Sequence, residues 1–504
     1  MRARDDLGGA GRVNKGSLPS LSLSGGAATL AAQFVKMLAQ FGALIALARL
    51  LNPSDFGLIA MVAPIFRLVD IIQDGGLTAA TIQRPELTQH HISTMFWSNV
   101  LIGGLLASAM FFAAPAIASF YGNTDLVEVT YALALVLFIG SLGQQHSALM
   151  QRHMRLGLLS LIEATSMVLG VLAAICAAYF GWRYWSLVVM QATAVSLTTI
   201  GFWAATKWRP GLPVWSAEVF SMLTFGSQLT VARLLDWASR SVDQIVLGRF
   251  WGEQALGYYS RSQAILIVPL SQVIWPLTRV GIPALSRLQH DPESYRRYFK
   301  RSLGLIVSVT LPGVVFSTLE APVLIPLLLG DRWTEVVPIF IALAPAAVVY
   351  TFNPVSYWIF ASLGRMDRQL RLSMVLAPLI VAGVAVGAPF GAVGVAAGYS
   401  LGAVLAQAYS IFFATRRSHI RLKDVAVALF PACLASTVAG GAVFFLRGQL
   451  NAFPDTSSHL SLLLFEGAVF IVAFVVAYLA TSGGRENISR VWGLAYGSRN
   501  TDVA

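Results

Sequence analysis

The sequence predicts an all-α polytopic membrane protein with about fourteen transmembrane helices. Apolar residues make up 56% of the 504 residues and charged residues only 12%, which is about half the charged share of an ordinary soluble domain. The apolar residues lie in long continuous runs, not in the ~10-residue alternating segments of a β-barrel. A soluble globule needs a polar shell in proportion to its surface, so this composition excludes a soluble enzyme.

Apolar runs of about 20 residues, the length that crosses a bilayer, occur repeatedly along the chain. An even number of crossings places both termini on the same side of the membrane. The fourteen predicted spans cover residues 26–48, 56–82, 93–120, 127–150, 157–180, 184–205, 217–247, 256–278, 302–328, 335–362, 370–389, 392–414, 425–446 and 460–481.

Lysine and arginine are unequally distributed between the two sides of this predicted topology. The termini and the loops on their side, counted together with Arg371 at the adjoining edge of span 11, hold 25 of the 35 lysines and arginines, whereas the opposite loops hold five. Because cytoplasmic loops are enriched in positive charge, both termini are predicted to be cytoplasmic. Loops that face anionic lipid also explain the net charge of +11, and no nucleic acid is expected as a partner.

A weak internal repeat divides the first twelve spans into two sets of six. The turn Arg49–Gly57 recurs with an offset of 200 residues as Arg249–Gly257. A repeat of six spans keeps its orientation, so the halves are expected to be related by an axis along the membrane normal. We therefore predict two pseudo-symmetric six-helix lobes around a central cavity, followed by two C-terminal helices. The predicted segments are an N-terminal tail at 1–24, lobes at 25–205 and 206–415, spans 13 and 14 at 416–482, and a C-terminal tail at 483–504.

Apart from Arg371 at the edge of span 11, five cations lie inside the predicted spans, all on spans 1, 2, 7 and 8, which the repeat relates to each other. A charged side chain at the bilayer centre costs about 2.5–3.5 kcal/mol on the insertion scale, so these residues are expected to face protein or water. Polar residues at helical spacing extend the same helix faces. The cations are Lys36, Arg67, Arg233, Arg240 and Arg261, and their polar companions are Gln33, Gln40, Asp70, Asp74, Asp236 and Asp243.

Two interpretations of these polar faces are open. Ion pairs within one helix would brace the bundle, which suits Arg67 with Asp70 and a similar pair on span 7. This interpretation does not explain Lys36 and Arg261, whose own spans contain no acid. A water-filled cavity explains all four helices, and because it is net cationic it is expected to bind an anion. Guanidinium groups bind phosphate through two parallel hydrogen bonds.

No catalytic residue, metal site or bound cofactor is predicted. The histidines lack the spacing of metal ligands, and the chain contains no Gly-Lys-Ser/Thr loop for ATP. Transport therefore needs another energy source, and our hypothesis is a proton or a sodium ion that binds one of four acids. Asp74 is preferred, since it lies seven residues from Arg67 and is less strongly paired. The other three are Asp70, Asp236 and Asp243.

Local patterns also predict helix contacts and one helix start. Asp291-Pro292-Glu293, in the longest polar connection, predicts a helix start, with the basic and aromatic residues that follow lying at the membrane interface. Two small-xxx-small series predict close helix packing. They are Gly383, Gly387 and Gly391, then Gly394, Gly398 and Gly402.

Several strings resemble the bacterial Wzx-type flippases of lipopolysaccharide and exopolysaccharide synthesis. This family belongs to a superfamily that also holds the multidrug-and-toxin extruders and the lipid II flippases. The similarity extends from about residue 25 to residue 415. The strings are ARLLNPSDFG at 48–57, ATIQR at 80–84, DQIVLGRF at 243–250, LGYYSR at 256–261, PALSRL at 283–288 and GDRW at 330–333.

The resemblance implies alternating access between two lobes. The implied cargo is an undecaprenyl-diphosphate-linked oligosaccharide, moved between the leaflets of the bacterial inner membrane. Besides membrane lipid, a polysaccharide polymerase and its co-polymerase are the partners that such a pathway implies.

Two other functions are alternatives to this one. A multidrug-and-toxin-type extruder of organic cations predicts an acidic cavity, but on the polar faces of spans 1, 2, 7 and 8 the five cations outnumber the four aspartates. A membrane enzyme such as an O-antigen ligase or polymerase needs a substantial periplasmic loop, and none of the predicted outer loops is long enough.

Overall fold

The computed structural model describes residues 18–74, 77–83, 87–214, 217–416, 418–450 and 459–486, and within these ranges it contains helices and no strands. The chain forms two compact units. Unit 1 comprises Met1–Leu51 and Val62–Leu234, and unit 2 comprises Asn52–Met61 and Leu235–Ala504. The predicted boundary between the two lobes at residue 206 stays a prediction.

Eight helices lie wholly or partly in unit 1. The second of them starts with residues that belong to unit 2, and the eighth continues into unit 2. In chain order they are α1 (Leu18–Leu50), α2 (Pro53–Asp74), α3 (Leu77–Gln83), α4 (Gln89–Tyr121), α5 (Asp125–Arg152), α6 (Leu156–Tyr179), α7 (Trp185–Thr206) and α8 (Ala217–Arg287).

The remaining eight α-helices of the described residues lie wholly in unit 2. The predicted spans fall on these helices and on those of unit 1, with spans 7 and 8 both on α8. In chain order they are α9 (Pro292–Leu319), α10 (Ala321–Leu329), α11 (Val336–Tyr350), α12 (Pro354–Ser362), α13 (Met366–Gly387), α14 (Gly391–Thr415), α15 (Leu422–Leu450) and α16 (His459–Ala480).

The turn predicted between spans 7 and 8 is reduced to a break at a single glycine. Gly252, inside α8, has φ 79° and ψ −176°, a backbone conformation that only glycine adopts without strain. The helices before and after Gly252 therefore follow each other with almost no loop between them.

The surface of the helices is that of a membrane protein. Eleven helical stretches of the described residues are long and apolar enough to cross a membrane. Large apolar side chains point outward from them, with Phe112 80% exposed and Phe444 73% exposed. A water-soluble monomer exposes no apolar surface on this scale. The predicted class, an all-α polytopic membrane protein, is confirmed.

The same packing pattern occurs in both units. In unit 1, α4 packs on α5, α5 on α7, and α6 on α7. In unit 2, α9 packs on α11, α11 on α14, and α13 on α14. Counted within each predicted set of six spans, the third span therefore contacts the fourth, the fourth contacts the sixth, and the fifth contacts the sixth. Helices α15 and α16 pack on each other and on α9 and α10.

The glycine series of α13 and α14 lie where these two helices cross. A Cβ atom on Gly383 would overlap the carbonyl of Gly398, and one on Gly387 would overlap the carbonyl of Gly394. The backbones thus approach more closely than any side chain allows. The predicted role in helix packing is confirmed for Gly383, Gly387, Gly394, Gly398 and Gly402. It is wrong for Gly391, which begins α14 with φ 76° and where a Cβ atom would first meet the Trp251 ring at 3.7 Å.

The segment after α7, residues 207–214, is bound along α4, and we call it the strap. The Ser93 hydroxyl accepts a hydrogen bond from the amide of Gly211 at 2.9 Å, and the Thr94 hydroxyl accepts one from the amide of Val214 at 2.8 Å. The Trp97 indole donates to the carbonyl of Gly211 at 2.9 Å. The backbone groups of the strap thus find hydrogen-bond partners among the polar side chains of an otherwise apolar helix.

Candidate functional site

Arg261, in the second half of α8, is the cation that the structure places most distinctively. Its guanidinium carbon lies 4.4 Å from the centroid of the Phe56 ring, a cation–π contact within unit 2. Phe56 is buried and packs edge-on against Trp333 at 5.5 Å between centroids. The Arg261 Nε atom is buried without a hydrogen-bond acceptor in the described part of the chain. The guanidinium is therefore held over an aromatic face with an unused donor.

Asp243, in the first half of α8, is fully buried and has an asymmetric set of hydrogen bonds. Its Oδ2 accepts from the Tyr259 hydroxyl at 2.7 Å and from the Gln263 amide at 2.8 Å. The Gln244 amide donates in turn to Gln263 Oε1 at 3.1 Å. Its Oδ1 is buried with no partner among the described residues. One oxygen is thus fixed by neutral donors, and the other remains available to a proton or a small cation.

Lys36, on α1, forms an ion pair that the sequence argument did not foresee. Its Nζ lies 2.8 Å from Oε2 of Glu163 on α6, and both side chains are partly buried. Both helices belong to unit 1, where α1 packs on α6. Lys36 therefore has an acid partner although its own span contains none, because the acid comes from a neighbouring helix. The prediction that Lys36 is unpaired was wrong.

The other described residues of the predicted polar faces differ in exposure. Arg67, Asp70 and Gln33 are exposed, and Gln40 is partly buried. The assignment of these residues to a cargo site stays a prediction.

Four of the predicted site residues cannot be placed at the level of their side chains. Their backbones are helical, but the side chains lie outside the described residues. They are Asp74, Arg233, Asp236 and Arg240.

Sequence reasoning missed the residues that hold the predicted ones in place. Phe56, under Arg261, and Tyr259, on Asp243, belong to strings that were noted only as motifs, and Gln263 lies two residues after one of these strings. Glu163 had a usable signal, because a lone carboxylate in an apolar span is expensive and must have a partner. Within the described residues, no group of three His, Cys, Asp or Glu side chains is placed to hold a metal ion.

Residues 46–338 match the model of a family described as polysaccharide biosynthesis protein, and this match covers more than half of the chain. The chain belongs to this family.

Sequence and structure comparisons agree with this assignment. The polysaccharide biosynthesis protein described here is 26% identical over 368 residues to "Lipopolysaccharide biosynthesis protein WzxC" of Escherichia coli (strain K12), covering 72% of this chain and 73% of the relative. The predicted resemblance to the Wzx-type family is confirmed.

Two solved structures share the fold of this polysaccharide biosynthesis protein. "Lipid II flippase MurJ, inward closed conformation" superposes with a TM-score of 0.73 at 12% identity, covering 90% of this chain and 98% of that chain. A multidrug resistance MATE family transporter in an inward-facing conformation superposes with a TM-score of 0.62 at 14% identity, covering 77% of this chain and 97% of that chain. At these identities the likeness establishes the fold alone.

Proposed function

We propose that this protein is a flippase for a lipid-linked oligosaccharide of bacterial polysaccharide synthesis. The cargo is an undecaprenyl-diphosphate-linked repeat unit, which the protein moves across the inner membrane by alternating access. Membership of the polysaccharide biosynthesis family and a fold shared with a lipid II flippase support this function.

Arg261 is the single observation that carries the proposal. A diphosphate bears about two negative charges, and moving it uncompensated through hydrocarbon would cost many kcal/mol. Arg261 is a partly buried guanidinium without an ion-pair partner among the described residues, and its buried Nε–H has no acceptor. The contact with the Phe56 ring does not neutralise the guanidinium charge, and it leaves hydrogen-bond donors for a phosphate. Lys36 and Arg67 of unit 1 remain candidates for cargo binding.

The same feature disfavours the multidrug alternative. An extruder of organic cations needs a carboxylate or an aromatic cage for its cargo, whereas the ring of Phe56 already holds Arg261. An unneutralised guanidinium at the site would repel a cationic drug.

Replacing Arg261 tests this function. In a strain deleted for the chromosomal copy, Arg261→Ala is expected to abolish polysaccharide export and to cause lipid-linked repeat units to accumulate. Arg261→Lys is expected to restore only part of the export, because an ammonium lacks the planar pair of donors. Arg371→Ala, which removes an arginine with a 75% exposed side chain, is the matched control. Wild-type export from a Lys36→Ala, Arg261→Ala double variant would contradict the proposal.

Asp243 is our candidate for the residue that couples transport to a proton or sodium gradient. Tyr259 and Gln263 hold its Oδ2, and its buried Oδ1, which has no hydrogen-bond partner among the described residues, is the oxygen that would take the ion. The predicted alternatives Asp70, Asp74 and Asp236 remain open to the same test.

The proposed location is the bacterial inner membrane with both termini in the cytoplasm. The distribution of lysine and arginine supports this orientation. Reporter fusions after Arg301 and Arg417 are expected to be cytoplasmic, and a fusion at Asp455 periplasmic. A polysaccharide polymerase and co-polymerase are the proposed protein partners, and co-purification from crosslinked membranes tests them.

A further inference from the structure

A buried ionic cluster lies in unit 2 where the last two helices pack on α9 and α10. Glu320 follows the last residue of α9, Arg447 lies near the end of α15, and Glu466 lies on α16. The side chains of both glutamates have no exposed area, and the Arg447 side chain is 29% exposed. None of the three belongs to the polar faces of α1, α2 and α8.

The single arginine is shared unequally between the two carboxylates. Arg447 Nε and Nη2 each donate to one oxygen of Glu466 at 2.9 Å, a two-point contact. Nη2 also donates to Oε2 of Glu320, and Nη1 donates to the carbonyl of Leu319 at 3.0 Å. Oε1 of Glu320 is buried with no partner in the described ranges.

The charge of this cluster does not balance if both glutamates are ionised. Two carboxylates and one guanidinium would leave one net negative charge on glutamate side chains that have no exposed area, which is strongly unfavourable. The other described groups from the surrounding elements add no cation: α10 has no ionisable side chain, and α9, α15 and α16 contribute only the three named residues at this point. One proton on the pair of carboxylates restores neutrality, as in other carboxyl pairs that share a proton.

We propose that Glu320 and Glu466 together form a proton-binding site that holds one exchangeable proton and fastens α15 and α16 to α9. When the proton is bound, the cluster is neutral and the two last helices are held on unit 2. When the proton leaves, the excess negative charge weakens this attachment.

Infrared difference spectroscopy of the purified full-length protein tests the site directly. A pH jump from about 5 to about 9 is expected to remove the C=O stretching band of one protonated carboxylic acid in the wild type. Glu320→Gln and Glu466→Gln should each abolish this band, because the remaining carboxylate is neutralised by Arg447 alone. Glu335→Gln, which changes an exposed glutamate of the same unit, should leave it unchanged.

Two results would overturn the proposal. One is a spectrum in which neither Glu320→Gln nor Glu466→Gln removes an acid band. The other is loss of the same band in Glu335→Gln. If one of the two glutamine variants fails to insert into the membrane, the other reports the same proton. The assay needs no cargo, so its outcome is independent of the flippase function.

Discussion

Gly57 and Gly257 lie against each other's helix backbone in unit 2, although they stand 200 residues apart in the chain. A Cβ atom on Gly57 would overlap the carbonyl of Glu253, and one on Gly257 would overlap the carbonyl of Pro53 and lie 3.3 Å from the Gly57 amide nitrogen. Both glycines end the two copies of the internal repeat. The repeat seen in the sequence thus marks a helix crossing at which its two copies meet.

Adding one methyl group at this crossing is expected to destabilise the protein. Gly57→Ala forces the two backbones apart, which we expect to lower the free energy of unfolding by about 1–3 kcal/mol and to reduce export. Gly42→Ala on α1 is the control, since a Cβ there meets no atom within 4 Å. Thermal unfolding of the purified variants measures the effect, and equal stability of Gly57→Ala and Gly42→Ala would contradict it.

Exchanging the charges of Lys36 and Glu163 separates a structural role of Lys36 from a role in cargo binding. Because the pair is partly exposed, Glu163→Gln is expected to cost about 1 kcal/mol or less. The Lys36→Glu, Glu163→Lys double variant restores the pair, so its thermal stability should return to that of the wild type. If Lys36 binds cargo, export by this double variant should remain low. Full recovery of both properties would assign Lys36 to bracing alone.

Removing a single donor from Asp243 is expected to be costly. Tyr259→Phe deletes a hydrogen bond to a buried carboxylate and should lower the free energy of unfolding by about 1.5–3 kcal/mol. Asp243→Asn should abolish the dependence of flipping on the proton or sodium gradient, as measured in vesicles with imposed gradients. Asp367→Asn, with its side chain 64% exposed, serves as the control. Unchanged ion dependence in Asp243→Asn would exclude this residue as the coupling site.

The stability of the protein is expected to fall as the pH rises and the proton shared by Glu320 and Glu466 leaves. The folded state of the proposed site binds a proton that an ordinary exposed glutamate, with a pKa of about 4.3, has released by neutral pH. This contribution to stability is complete below about pH 4.3 and is lost as the pH rises and the folded protein releases the proton. Unfolding temperatures measured across this window should decline in the wild type more steeply than in Glu320→Gln. Parallel curves would show that Glu320 does not titrate there.

The helices could be predicted from the sequence because hydropathy and helix-end signals are local. Asp291 accepts hydrogen bonds from the amides of Glu293 and Ser294, as its position before Pro292 predicts. The residues after it were expected at the membrane interface, but Tyr295 is buried and bonded to Ser362 at 2.6 Å. A local pattern identifies a helix start without revealing what the helix packs against.

The ion pairs could not be predicted in the same way because they join helices that are distant in sequence. Glu163 lies 127 residues after Lys36. Arg447 follows the last residue of the predicted span 425–446 and so was counted with the outer loops, whereas it lies on α15 and contacts two buried carboxylates. Arg261 was selected because its own span lacks an acid, and among the described side chains its buried Nε finds no acceptor on any other helix either.

The strap has a practical consequence for dividing the gene. If the gene were divided after Thr206, where α7 ends, the amides that donate to Ser93 and Thr94 would belong to the second polypeptide, and the two hydroxyls to the first. A break after Val214 would keep these bonds within the first fragment, and exposed chain ends are tolerated where no backbone contact is cut. Two co-expressed fragments should therefore complement a deletion strain when the gene is divided after Val214 and fail when it is divided after Thr206. The point at which this transporter can be taken apart is set by hydrogen bonds of a loop, and not by the end of a helix.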